Sequence, residues 1–244
     1  MNKNNTDLDG KIAEVKYETG LHFKLEYLEG GRMKWTSLRQ EDNNATEIES
    51  ITVFKLNDGI YNINWVESNE IVVSQSIDIN NNIVKAFITT NDKDKYGRRA
   101  VIILSGVYQF IDQNNNIDNT PFTNLQIIRS YWNEFLVNHD PKVFERYFGD
   151  DYIQHNPYLQ DGIEPFRNWF MSMFESKWKQ ASFEIKAIHS DQNIVYVHNL
   201  GKESPEDIGN AVVDIYRLEK GKIVEHWDVI QPISEQSISK HPMF

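Results

Sequence analysis

The sequence predicts a mainly β and α+β chain: an antiparallel β-barrel, then a domain in which a curved antiparallel sheet wraps three N-terminal helices. Three observations predict it. Up to about residue 110, apolar residues alternate with polar ones in many short runs, the mark of strands with one buried face. Residues 112–121 (DQNNNIDNTP) are polar and turn-rich, with no apolar period. From Thr123 the spacing becomes helical, and after residue 182 it returns to two. The expected organisation is a disordered N-terminus over 1–9, a barrel over 10–111, a linker over 112–121 and the α+β domain over 122–244.

The barrel strands follow in order. Phe23, Leu25 and Tyr27 alternate with His22, Lys24 and Glu26, and Met33 and Trp35 with Arg32, Lys34 and Thr36. Tyr61, Ile63 and Trp65 alternate with Asn62 and Asn64, and Val73 and Ile77 stay in phase beyond a polar break at Ser68-Asn69. Turn signals separate the runs: Glu29-Gly30-Gly31, Asn57-Asp58-Gly59 and Asn80-Asn81-Asn82. A further apolar run spans Ala100–Phe110. About seven or eight hairpin-linked strands in so short a stretch predict a closed or nearly closed barrel.

The second part opens on Leu125, Ile128, Trp132, Phe135 and Leu136 at helical spacing. Asp140-Pro141 predicts an N-cap followed by proline at the first helical position, opening a helix with Val143, Phe144 and Tyr147. A third helix is expected over Ile163–Ser176, with Phe166, Phe170, Met173 and Phe174 on one stripe. Phe183, Ile185 and Ala187 begin the strands. Ile194–Leu200, Ala211–Leu218 and Lys222–Ile230 continue them, the last two joined by the Glu219-Lys220-Gly221 turn.

Composition narrows the function. Net charge is −11, which disfavours non-specific nucleic-acid binding because phosphate must be met by cations. The cysteine count is 0, which removes thiolate catalysis, disulfides and cysteine metal sites. No apolar stretch is long enough for a membrane helix, and the polar start MNKNNTDLDG has no signal-like region, so the expected setting is soluble and cytoplasmic.

The sharpest polar set lies in the second part: Tyr152-Ile153-Gln154-His155-Asn156-Pro157, Asp161-Gly162, Asp214-Ile215-Tyr216-Arg217 and Glu225-His226-Trp227-Asp228. Asp214 falls in phase with Val212 and Tyr216; His226 falls in phase with Val224, Asp228 and Ile230. A carboxylate on an apolar face must be paired or hydrogen-bonded, and such placement suits a proton acceptor. The same residues admit a structural role: Asp228 capping a turn or pairing with Arg217, His155 in a rigid turn, His226 facing solvent. His155, His198 and His226 match no compact metal-ligand spacing, so neither a metal nor a cofactor is expected.

YIQHNP followed by DG, then VDIYRLEKGKIVEHWDVIQPI, resembles the SnoaL-like polyketide cyclases of the nuclear-transport-factor-like fold, over roughly residues 122–235. The resemblance implies a cone-shaped domain with a deep pocket, a homodimer, and acid/base chemistry without metal or cofactor. It carries the general acid/base role to Asp228, with Asp214 and His155 as helpers. Tyr152, Asn156, Trp132, Trp169, Tyr216 and His226 are the expected ligand contacts, with Phe170 as a further wall of the pocket.

In the first part, VKYETG, GGRMKW and GIYNINWVES are similar to MoaF-like domains and to phenolic acid decarboxylases, both calycin-type barrels, over roughly residues 10–111. The resemblance implies a ligand pocket at Tyr17, Trp35, Trp65 and Glu67. In the decarboxylases tyrosines hold the substrate carboxylate. Here Tyr17 matches one of them and Val15 stands where another would be. The family arginine has no counterpart, Arg39 lying nearby in a polar stretch.

The expected function is cofactor-independent cyclase or isomerase chemistry on a small hydrophobic, polyketide-like or cyclic molecule in the second pocket. The alternative is a non-enzymatic binder using one or both pockets.

Overall fold

The computed structural model describes residues 6–244, and the chain divides into two compact units, 1–120 and 121–244. In the first unit nine strands form one antiparallel sheet: β1 (Ile12–Tyr17), β2 (His22–Leu28), β3 (Arg32–Ser37), β4 (Thr46–Ser50), β5 (Thr52–Asn57), β6 (Ile60–Val66), β7 (Val72–Asp78), β8 (Ile83–Asn91) and β9 (Arg99–Ile111). The order is β4-β3-β2-β1-β9-β8-β7-β6-β5. Every neighbour is a sequence neighbour except β1 and β9, whose pairing brings the chain round on itself. Only Ile51 separates the end strands β4 and β5, and β4 lies against β6, so the barrel is nearly closed.

The alternation read from the sequence is the inside–outside pattern of this barrel. Leu25, Tyr27, Met33, Tyr61, Ile63, Trp65, Val73 and Ile77 are all buried. Gly30 and Gly31 have φ of 80° and 70°, the left-handed backbone that a tight hairpin needs. Gly106 is required for another reason. A Cβ there would lie 2.3 Å from the Lys16 carbonyl oxygen across the β1–β9 pairing.

One half of the barrel is filled and the other is hollow. Tyr27, Tyr61 and Tyr108 fill one half, with the Tyr108 hydroxyl 3.2 Å from that of Tyr27. The N-terminal turn seals this half: Leu8 is fully buried, and the Tyr61 hydroxyl donates to Asp7. Disorder expected over 1–9 therefore fails for residues 6–9, because an apolar side chain plugs the barrel end; residues 1–5 lie outside the described residues. The expected linker is also partly ordered, since Asp112 accepts the Asn114 and Asn116 amides and Ile117 bridges to Ile111.

The second unit contains α1 (Asn124–Trp132), a π-helical turn over Asn133–Val137, α2 (Val143–Tyr147), β10 (Phe148–Gln154), α3 (Ile163–Glu175), β11 (Ser182–Asp191), β12 (Ile194–Lys202), β13 (Asn210–Glu219) and β14 (Lys222–Pro232). Its sheet runs β10-β14-β13-β12-β11. Thr123 and Gln126 form a reciprocal capping box that starts α1. The core is aromatic. The Phe135 ring lies 5.0–5.7 Å from those of Tyr131, Phe144, Phe170 and Phe174.

Four local expectations are corrected. β10 is a strand, paired parallel to β14, where none was expected. Its sequence FGDDYIQ has too little apolar alternation to announce it. The second helix begins two residues late: Asp140 accepts the Lys142 amide in a preceding turn instead of capping α2. A bulge at Lys186 shifts the phase of β11, so Ile188 follows Ile185 inward and Ala187 turns out. A bulge at Val224 does the same in β14, and Ile223 is buried in its place.

Candidate functional site

The second unit encloses a cavity of about 380 Å³ between the inner face of its sheet and the helices. Trp132, Trp169, Phe170 and Tyr216 wall it, and Asn156, Asp214, His226 and Asp228 supply its polar groups. The β13–β14 register explains this grouping. Asp214 stands opposite Asp228 and Tyr216 opposite His226, so all four project from one face of a single hairpin.

These polar groups form a continuous network. The Asn199 side-chain amide donates to Asp214 Oδ2 at 2.7 Å, and Asp214 Oδ1 lies 2.9 Å from His226 Nε2. His226 Nδ1 lies 3.1 Å from Gln154 Oε1. Gln154 is itself fixed: its Nε2 donates to the Tyr152 hydroxyl at 2.9 Å, and its Oε1 accepts the Asn156 amide at 3.0 Å. Both nitrogens of a ring only 6% exposed therefore face acceptors. Both ring nitrogens are thus within hydrogen-bond reach of a fixed partner, which anchors His226 against Asp214. Two carboxylates directly across a strand pair repel, and hydrogen bonds from the Asn199 and Asn156 side-chain amides offset that.

Asp228 is held differently. Asn156 Nδ2 donates to its Oδ2 at 2.6 Å, while Oδ1 has no donor among the described residues. Among the described residues, Asp214, His226 and Asp228 also form the one group of acid and histidine side chains whose ligand atoms lie within 4.8 Å of one another. Such a trio can hold a proton or a cation. Here the imidazole nitrogens already face Asp214 and Gln154. Burial pushes the hydroxyls of Tyr131 and Tyr216 well above the ordinary tyrosine value, and the Asp214 charge adds to the effect.

Not every expected residue reaches this cavity. His155 lies on the other face. It stacks on Trp227 at 4.7 Å, bonds Glu225 at 2.8 Å, and its side chain is 39% exposed. The cause is the parallel β10–β14 pairing, which sets Gln154 beside His226 and turns the next residue outward. Tyr152 is buried and contributes through Gln154 without lining the cavity. Arg217 pairs with Glu225 and Glu219, so the alternative Asp228–Arg217 pairing is not formed. For Glu225, burial acts to raise the carboxyl, but hydrogen bonds from His155 and Arg217 outweigh it and hold the group below the usual range. His198 is half-buried on β12, beside the Phe244 ring. Gln154 and Asn199 escaped the sequence reading. The signal was present: Asn199 keeps the phase of Val195 and Val197, and Gln154 that of Tyr152.

The hollow half of the barrel is a second cavity of about 250 Å³. Tyr17, Trp35, Trp65 and Glu67 all line it, as the sequence expected. Gln75 donates to the Tyr17 hydroxyl at 2.9 Å, and burial pushes that hydroxyl up to about 12. Arg39 is paired with Glu41 beyond β3 and does not line the cavity.

Comparison with known proteins agrees with this division. Residues 9–102 match the MoaF-like family and residues 128–226 match the SnoaL-like domain family. No curated protein matches the chain. Solved structures similar to it include a candidate β-lactamase from Burkholderia vietnamiensis, at 22% identity over 44% of this chain and 99% of that one, TM-score 0.39. A candidate polyketide cyclase from Acidithiobacillus ferrooxidans is 14% identical over 44% and 87%, TM-score 0.39. A candidate SnoaL-like polyketide cyclase from Jannaschia sp. CCS1 is 15% identical over 44% and 84%, TM-score 0.39. No helix among the described residues is long and apolar enough to cross a membrane.

Proposed function

We propose that the SnoaL-like unit performs acid/base chemistry on a small, hydrophobic, cyclic or polyketide-like molecule bearing an acidic C–H. The observation that supports this reading is a carboxylate oxygen, Asp228 Oδ1, left without a donor among the described residues beside the hydrogen-bonded His226–Asp214 pair. The aromatic walls would exclude water from a flat, apolar substrate.

Asp228 Oδ1 takes the proton. The C–H electrons remain on the substrate as an enolate. Asn156 fixes the other carboxylate oxygen, so the base is held in one orientation. The hydrogen-bonded His226–Asp214 pair lies beside the developing enolate and supplies the polar side of the cavity there. The enolate is then reprotonated at a new position, or its carbon attacks a second carbonyl within the same molecule and the resulting alkoxide is protonated. Neither outcome consumes an oxidant or reductant. This assigns to His226 the helper role that the sequence had given to His155.

The test is hydrogen–deuterium exchange at carbon. Cyclic 1,3-diketones and aromatic polyketide-like ketones are incubated in D2O with the intact protein and followed by proton NMR. The expected result is accelerated exchange for at least one compound, abolished in Asp228→Asn while that compound still binds. No acceleration across the panel, or full exchange by Asp228→Asn, overturns the proposal.

A further inference from the structure

The hollow half of the barrel carries an unbalanced charge. Strand β4 turns Glu47 and Glu49 inward, and Glu49 is only 5% exposed. Glu67 lines the cavity from the turn just after β6. The partners of these acids are neutral: Trp35 Nε1 donates to Glu49 and Trp65 Nε1 to Glu67, both at 3.4 Å, and the Asn69 side chain also bonds Glu67. Among the described residues no lysine or arginine lines the cavity, and Glu67 is its one charged lining residue. Burial pushes the Glu49 and Glu67 carboxyls above their ordinary value, and the neighbouring glutamates push them the same way. Carboxylates inside an apolar barrel need a compensating charge.

An independent feature points the same way. Gln75 is 2% exposed and lines the cavity, yet its Oε1 is buried without a hydrogen-bond donor. A buried acceptor left unpaired is costly, and a ligand donor would relieve it. Tyr17, Phe23, Trp35 and Trp65 surround the space with π faces, which attract cations. The three glutamates do not converge as the Asp214, His226 and Asp228 ligand atoms do, so a single metal ion is not the matching charge.

We propose that the barrel cavity binds a small organic cation, an aryl or alkyl ammonium whose apolar body sits among Tyr17, Phe23, Trp35 and Trp65 and whose N–H groups meet Glu67 and Gln75. This is the opposite charge preference from a carboxylate-binding barrel. It is independent of the chemistry assigned to Asp228.

The experiment is calorimetric titration of the full-length protein with 2-phenylethylammonium, its neutral isostere 2-phenylethanol, and phenylacetate. The ammonium is expected to bind about tenfold more tightly than the alcohol, equivalent to about 1.4 kcal/mol, and phenylacetate more weakly than either. Glu67→Gln is expected to erase the ammonium preference and leave alcohol binding unchanged. Glu47→Gln, at the more exposed rim, reduces it in part and serves if the first variant does not fold. Asp228→Asn is expected to alter none of the three, which separates this site from the other cavity. Phenylacetate binding as tightly as the ammonium, an ammonium preference that survives both glutamate variants, loss of it in Asp228→Asn, or no saturable binding of any probe would overturn the proposal.

Discussion

The two cavities have similar walls and opposite polar interiors. Each is a chamber of tryptophan, tyrosine and phenylalanine holding carboxylates on apolar strand faces. In the second unit the polar groups complete one another. Asn199, Asp214, His226, Gln154 and Tyr152 run as an unbroken chain, and one oxygen of Asp228 is left over. In the barrel Glu49 and Glu67 meet indole N–H groups, Asn69 also bonds Glu67, and Gln75 Oε1 has no donor among the described residues. A completed network holds a proton in a defined place, as acid/base chemistry needs. An incomplete, negative interior is built to be completed by something that arrives.

The largest effect that could break this contrast is chemical. Asp228→Asn is expected to lower C–H exchange by about 10²–10⁴-fold, the usual scale of a positioned general base, whereas Glu67→Gln leaves it unchanged. Equal losses in both variants would erase the division of roles. Next come the packing effects. Phe135→Ala removes a fully buried ring at the centre of the aromatic core and is expected to cost about 3–5 kcal/mol. Urea unfolding followed by amide exchange should locate that loss within residues 121–244. Gly106→Ala drives a methyl group against the Lys16 carbonyl. It is expected to cost about 1–3 kcal/mol, the usual scale of overpacking, with faster amide exchange confined to β1 and β9.

The smallest effect is electrostatic and has opposite signs in the two units. Glu67 is raised, so the folded barrel holds that proton more tightly than the unfolded chain, and stability falls as pH rises above the ordinary value of 4.5. Glu67→Gln should therefore be more stable than the parent protein at pH 7, with the gain vanishing below that value. Glu225 is lowered, so its contribution is present at neutral pH and lost as pH falls through its folded value. Glu225→Gln should be less stable at pH 7, with the deficit disappearing in acid. Both groups are partly exposed, so each difference stays within about 1 kcal/mol. Melting curves of the two variants across pH 3–8 measure it. Shifts of the same sign would remove the electrostatic contrast.

Much of this was legible because the informative residues sit in regular alternation. Tyr17, Trp35, Trp65 and Glu67 were grouped from strand phase and from the resemblance, and the structure brings all four to one cavity. Asp214, Tyr216, His226 and Asp228 were likewise joined by the phase of one hairpin. What escaped was carried by segments with weak patterns. Glu47 and Glu49 lie on TEIES, where the inward positions are charged and the exposed Ile48 points out, so the alternation reads backwards. Gln75 was detectable as a polar residue in phase with Val73 and Ile77.

The sequence by itself determined the two-part plan, the nearly closed barrel and the order of helices before strands. Period and turn chemistry are local properties, and a chain of hairpins converts them directly into a sheet. Only the tertiary structure decided which histidine serves the cavity. That choice depends on β10 pairing in parallel with β14, 70 positions further along the chain at His155 and Glu225. The pairing sets Gln154 inward beside His226 and His155 outward onto Trp227. A parallel pairing between segments so far apart leaves no local trace, because its energy comes from contacts that exist only after the chain has closed around its core.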